Sequence, residues 1–115
     1  MTILGEAVVL RIFCGEDDRH GNQPLYEAII LKAREAGLAG ATMMRGAMGF
    51  GHSSHLHTTK ILRLSQDLPI IIEMVDSREK IEGFLPALDG MMGSALVTME
   101  KVQVLRYGTA SGDAG

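Results

Sequence analysis

Apolar positions along this chain follow two periods. Glu6–Cys14 (EAVVLRIFC), Ala41–Gly49 (ATMMRGAMG), Ile70–Val75 (IIIEMV) and Leu96–Tyr107 (LVTMEKVQVLRY) are rich in β-branched and apolar residues and read as strands. Between them the spacing turns helical. Leu25, Ala28, Ile29, Lys32, Ala33 and Ala36 follow Pro24, which suits a first helical position, and Gly37 suits the C-terminal cap. Ile81, Phe84, Leu85, Leu88 and Met92 form a second stripe, entered through Asp76 and Glu79 as a capping box. Gly83 and Pro86 inside that stripe predict a kink or an early end. Gly15–Gln23 is polar and turn-like, and Asp67-Leu68-Pro69 marks another turn.

The order is β-α-β, then β-α-β. It predicts an α+β fold, a ferredoxin-like βαββαβ sandwich whose four-stranded antiparallel sheet carries both helices on one face. The expected domain covers residues 1–108. The tail 109–115 (TASGDAG) has nothing to bury and is expected to be disordered. A sheet covered on one side should alternate apolar and polar residues. Here Ile70-Ile71-Ile72, Val8-Val9-Leu10 and Ile12-Phe13 make both faces apolar, which predicts an obligate oligomer built sheet to sheet.

Composition narrows the classes. The 115 residues are 46% hydrophobic, with eight methionines and no tryptophan, so aliphatic side chains must fill the core. Net charge is −3 and no basic block occurs, which leaves nucleic-acid binding without an electrostatic footprint. No apolar run is long enough for membrane insertion, and MTILGEAVVLRIF lacks the marks of a signal peptide. The single cysteine, Cys14, excludes an internal disulfide and fits a reducing compartment; the expected location is cytoplasmic. At the end of a strand it reads as a small buried hydrophobe.

The chemistry concentrates in Met48–Lys60, MGFGHSSHLHTTK. His52, His55 and His57 have a spacing that could hold Zn or Cu with one position open, but no carboxylate joins them. The plain alternative is a solvated loop whose histidines titrate near neutral pH, or which hydrogen-bond a ligand. Gly46, Gly49 and Gly51 would let main-chain N–H groups approach an anion, with Arg45, His52, Lys60 and Arg63 supplying charge; the same glycines could mark a bulge. The acidic run Glu16-Asp17-Asp18-Arg19-His20 could hold a cation or meet a basic residue across a subunit boundary; the plainer reading is a solvated turn with Arg19 paired to a neighbouring carboxylate. Arg11 and Arg106, on apolar strands, need a partner such as Glu73 or a ligand. Ser53 and Ser54 stand near histidines without a preorganised triad, so no catalytic residue is assigned and no turnover enzyme is expected.

Three stretches carry a family resemblance: PLYEAI at Pro24–Ile29, AGLAGATMMRGAMGFG at Ala36–Gly51 and LSQDLPIIIEMVDSREKIEGFLP at Leu64–Pro86. They resemble the PII-like proteins grouped as domain of unknown function 190, over roughly Glu6–Tyr107. The resemblance implies a homotrimer. In PII proteins a Gly-Phe-Gly opens the T-loop above an inter-subunit cleft that binds adenine nucleotides, and Gly49-Phe50-Gly51 stands in that place here. Two departures matter. The loop after the second helix, Gly90-Met91-Met92-Gly93-Ser94, lacks the phosphate-binding lysine, and the T-loop lacks the modified tyrosine, since Tyr26 and Tyr107 lie elsewhere.

The expected function is therefore a trimeric regulator sensing a small anionic ligand, an adenine nucleotide foremost, through Arg45, Gly49, Phe50, Gly51, His52 and Lys60. Ligand binding would alter docking to a protein target such as a transporter or enzyme. The alternatives are a metal-tolerance protein using His52, His55 and His57, or a ligand-free interaction module.

Overall fold

The computed structural model describes residues 5–49, 57–58 and 68–108, with the main chain alone at 48, 49, 57 and 58. In chain order these form β1 (Gly5–Gly15), β2 (Arg19–His20), β3 (Gln23–Pro24), α1 (Leu25–Glu35), β4 (Ala41–Arg45), β5 (Met48–Gly49), β6 (His57–Thr58), β7 (Pro69–Asp76), α2 (Arg78–Asp89) and β8 (Leu96–Val104). The main sheet has the order β4-β7-β1-β8, with every neighbouring pair antiparallel. Two-residue pairs β2-β3 and β5-β6 are additions to the expected pattern. The turn-like Gly15–Gln23 segment folds as a small hairpin because Gly21-Asn22 permits a two-residue loop, closed by Arg19 Nη2 donating to the Asn22 carbonyl at 2.7 Å.

Register assigns the faces. Leu10 and Ile12 of β1 pair with Met74 and Ile72 of β7, and with Val8 and Ile70 on the same face they meet Leu25, Ala28, Ile29 and Ala33 of α1 and Ile81, Phe84 and Leu88 of α2. This is the core, and each large aliphatic residue in it contributes roughly 1.5–3 kcal/mol by leaving water. The opposite face carries Val9, Phe13, Ile71 and Val75, but also Thr42, Thr98 and an ionic cluster. Arg11 Nε donates to Glu73 at 2.7 Å and Arg11 Nη1 to Glu100 at 2.6 Å. The expectation of two apolar faces is thus too simple: β7 alternates strictly between buried and half-buried residues. Edge strand β8 lies beyond the cover of the helices, and Leu96, Val97 and Met99 are exposed along it.

Helix ends correct three finer expectations. Pro24 is the N-cap of α1, not its first residue, while Gly37 follows the Ala36 cap with φ of +77°, the left-handed conformation a glycine closes best. The cap of α2 is Ser77, whose hydroxyl accepts from Lys80 N–H at 3.1 Å; Asp76 stands one residue earlier and is buried. Helix α2 does not end early at Pro86 but continues to Asp89, with the ring on the exposed side. Strand β8 stops at Val104, so Arg106 lies beyond it and is exposed rather than seated on an apolar strand.

Candidate functional site

The two stems of the segment between β4 and β7 meet at the end of the main sheet. Gly46 N–H donates to the Pro69 carbonyl at 2.7 Å, and Glu16 N–H to the Leu68 carbonyl at 2.7 Å. A Cβ at Gly46 would stand 2.7 Å from Cγ of Pro69, so glycine is what lets the stems touch. The expected strand Ala41–Gly49 breaks here: after Arg45 the chain leaves the main sheet and Met48–Gly49 pairs instead with His57–Thr58, Gly49 opposite His57.

Arg45 ends β4 at this root. Its Nε and Nη2 both donate to Glu16 Oε2, at 2.9 and 2.8 Å, and the carboxylate raises the guanidinium pKa above its ordinary value through hydrogen bonding and charge. The acidic turn therefore meets Arg45, and Arg19 bonds the Asn22 carbonyl. Of the other expected ligand residues, Gly49 is placed by its main chain; Phe50, Gly51, His52 and Lys60 lie outside the described residues. So does His55, and His57 is placed by its main chain alone. Among the described residues no group of three or more His, Cys, Asp or Glu could hold a metal ion.

The opposite end of β4 holds a site that the sequence reading missed. The connection Leu38–Gly40 and the start of β4 form a wall between two grooves. One, of about 270 Å³, lies on the helix side and is lined by Ile30, Ala33, Arg34, Leu38 and Ala39–Ala41. The other, of about 300 Å³, lies on the helix-free face between the same wall, Thr42, Val75, Val104 and Tyr107. Tyr107 reaches it because the chain after β8 crosses the sheet end, where its hydroxyl donates to the Ala39 carbonyl at 2.8 Å. The groove on the helix-free face offers apolar walls, an aromatic ring, one exposed hydroxyl and main-chain polar groups, which is the composition of a small-molecule site. Nothing local in the sequence marked it: Thr42 lies in the apolar run ATMMR, and Tyr107 reads as the last residue of a strand. Arg45 is three residues from Thr42, roughly 10 Å along the strand, and starts from the opposite face, since it pairs with Ile70 of the core side and Thr42 with Glu73 of the helix-free side. Because β4 is an edge strand, its ends and its open side are reachable from one direction.

Solved structures give the class to which this arrangement belongs. The protein CPII of Thiomonas intermedia K12, a nitrogen regulatory PII-like protein, solved with ADP and bicarbonate, matches with a TM-score of 0.67 at 20% identity, covering 90% of this chain and 92% of that one. A PII-like protein of Thermus thermophilus matches at 0.64 and 17% identity, covering 91% and 95%. At such identities the likeness is one of fold, and the fold is the ferredoxin-like sandwich of PII-like proteins. A UPF0166 protein of Aquifex aeolicus (strain VF5) is 36% identical over 97 residues, 84% of this chain and 91% of that one. A UPF0166 protein of Methanocaldococcus jannaschii is 36% identical over 83 residues, 72% and 76% respectively. The profile of DUF190, whose description is "Uncharacterized ACR", matches residues 7–104, and the chain belongs to that family.

Proposed function

We propose that this protein is a PII-like regulator that binds an adenine nucleotide and does not turn it over. The observation that carries the reading is a base-sized groove at one end of edge strand β4 and a guanidinium at the other, on a fold whose solved relative CPII holds ADP and bicarbonate. In this reading the base occupies the groove of Thr42, Val75 and Tyr107. The phosphates run along β4 and past its open edge toward Arg45 and the main chain of Gly49–Gly51, with His52 and Lys60 adding charge. Three copies assemble with their helix-free sheet faces inward, so that each groove becomes one wall of an inter-subunit cleft. Ligand binding at the root of the segment after β4 then changes what that segment presents to a cytoplasmic protein target.

Isothermal calorimetry with ATP, ADP, AMP and cyclic AMP tests it. At least one is expected to bind with a Kd well below millimolar. If none binds tighter than about 1 mM, roughly −4 kcal/mol, the nucleotide reading is wrong. Arg45→Ala is expected to weaken the phosphorylated ligands tenfold or more, and Arg45→Lys to recover only part, because a point charge cannot replace the planar fork.

A further inference from the structure

Asp76 is the buried polar residue of this fold among those described, 1% exposed at the C-terminal end of β7. Its carboxylate is met by two main-chain donors. Oδ1 accepts from Ser77 N–H at 2.7 Å and Oδ2 from Ala39 N–H at 2.9 Å. Burying a carboxylate is expensive unless its lone pairs are used, and charge-assisted bonds of this kind are about twice as strong as neutral ones. The position thus retains a costly group that reaches 37 residues back in the chain to hold one main-chain N–H.

Ala39 stands in the wall of both grooves. Ala39 is fixed at its amide by Asp76 and at its carbonyl by Tyr107. Next to it, Lys80 Nζ donates to the Ala36 carbonyl at 3.2 Å, so α2 also fastens the end of α1 from which the wall departs. Among the described residues, those around Tyr107 are open to solvent: Leu105 is 83% exposed, and Arg106 and Gly108 are exposed too. Tyr107 therefore depends on the Ala39 carbonyl being held in place, and Asp76 holds the same residue through the N–H of the preceding peptide.

We propose that Asp76 is a positioning residue for the groove on the helix-free face, acting through Ala39 to hold Tyr107 in place as its outer wall. As a statement about a ligand site this rests on the function proposed above; as a statement about the relay from Asp76 to Tyr107 it does not. The two parts are read out separately.

The chain has no tryptophan and two tyrosines, so in a Tyr26→Phe background Tyr107 is the sole fluorophore. Its anisotropy and acrylamide quenching are measured well below the melting temperature in that parent, in Asp76→Asn and in Ala39→Pro. Asp76→Asn keeps the shape but replaces one acceptor oxygen by a donor. Ala39→Pro removes the N–H and leaves Asp76 in place. Leu88→Ala, in the last turn of α2, is the control for stability lost without touching the relay. The expected result is a lower anisotropy and at least a twofold rise in quenching for both relay variants, with the control at parental values. ADP affinity is expected to fall tenfold or more in Asp76→Asn and in Tyr107→Phe, and no further in the double variant. Parental fluorescence in both relay variants, or an equal change in Leu88→Ala, overturns the relay. A parental ADP affinity in Asp76→Asn beside loosened fluorescence overturns the ligand part alone. Absence of ADP binding to the parent sinks the nucleotide reading while the fluorescence still decides the relay.

Discussion

Single residues in this chain divide sharply by what surrounds them. Ile72 is fully buried between β1, β4 and the helices, so Ile72→Ala removes apolar contacts and leaves a cavity; a loss of roughly 2–5 kcal/mol is expected. Urea unfolding checks this, as a lower midpoint at an unchanged slope. Leu31, half-exposed on α1, is the contrasting case: Leu31→Ala should change stability by no more than about 0.5 kcal/mol. Position 46 obeys a different rule. Its glycine is required by the approach of Pro69, and Gly46→Ala must push the two stems apart. Faster hydrogen exchange at the amides of Gly46 and Glu16 is the expected mark, since those N–H groups bond the opposite stem at Pro69 and Leu68. These roles differ in how far the sequence announces them. Ile72 lies in an apolar run, Ile70-Ile71-Ile72, that reads as strand but does not say which of its residues face the core. The Gly46–Pro69 contact joins residues 23 apart, and no local pattern announces it.

Elements were legible where one force dominates. The periods of β1, α1, β7 and α2 are set by burial, and each was read to within a residue or two at most ends. Boundaries set by competing hydrogen bonds were misplaced. Asp76 and Ser77 are both good caps, and sequence alone favours the one followed three residues later by glutamate. The fold instead uses Asp76 to bond Ala39, and the cap passes to Ser77. Ser77→Ala is accordingly expected to cost about 1 kcal/mol in thermal melts. Pro86 offers the reverse. It deprives the Glu82 carbonyl of its helical partner, yet α2 runs on for another turn because Phe84 and Leu88 are anchored in the core. Pro86→Ala restores that bond on an exposed face, so it should raise the melting temperature, by the equivalent of about 1–3 kcal/mol. An unchanged or lower melting temperature would show that the ring relieves strain in place of causing it. The groove at the start of β4 was illegible for a related reason. It is made of a connection, a strand end and a residue beyond the last strand, brought together only by tertiary packing.

At the scale of the whole molecule the question is what covers the helix-free face. Pattern reading saw two apolar faces and inferred an oligomer, and the structure keeps part of that argument while changing its chemistry. Val9, Phe13, Ile71 and Val75 share the face with one arginine and two glutamates, and Met44 and Leu96 are exposed at its margins. Hydrogen bonds donated to Glu100 and Glu73 raise the Arg11 guanidinium above its usual pKa, so it stays charged throughout the working range. Its contribution to the folded state would be lost only as pH rises through that raised value. Such a cluster is weak evidence for stability in a single chain, since exposed ion pairs contribute little. If three copies meet through this face, the cluster is taken out of water and its balance becomes critical. Arg11→Ala would then leave two carboxylates buried with no counter-charge, which costs far more than the bonds themselves contribute. Sedimentation at micromolar concentration should show the parent as a trimer and Arg11→Ala shifted to lower mass at neutral pH. Replacing all three groups together, Arg11→Met with Glu73→Gln and Glu100→Gln, removes the charge and should restore assembly. A single variant that sediments like the parent, or a triple variant that fails with the single one, would place the interface elsewhere. The exposed apolar edge of β8 would then be the next surface to test.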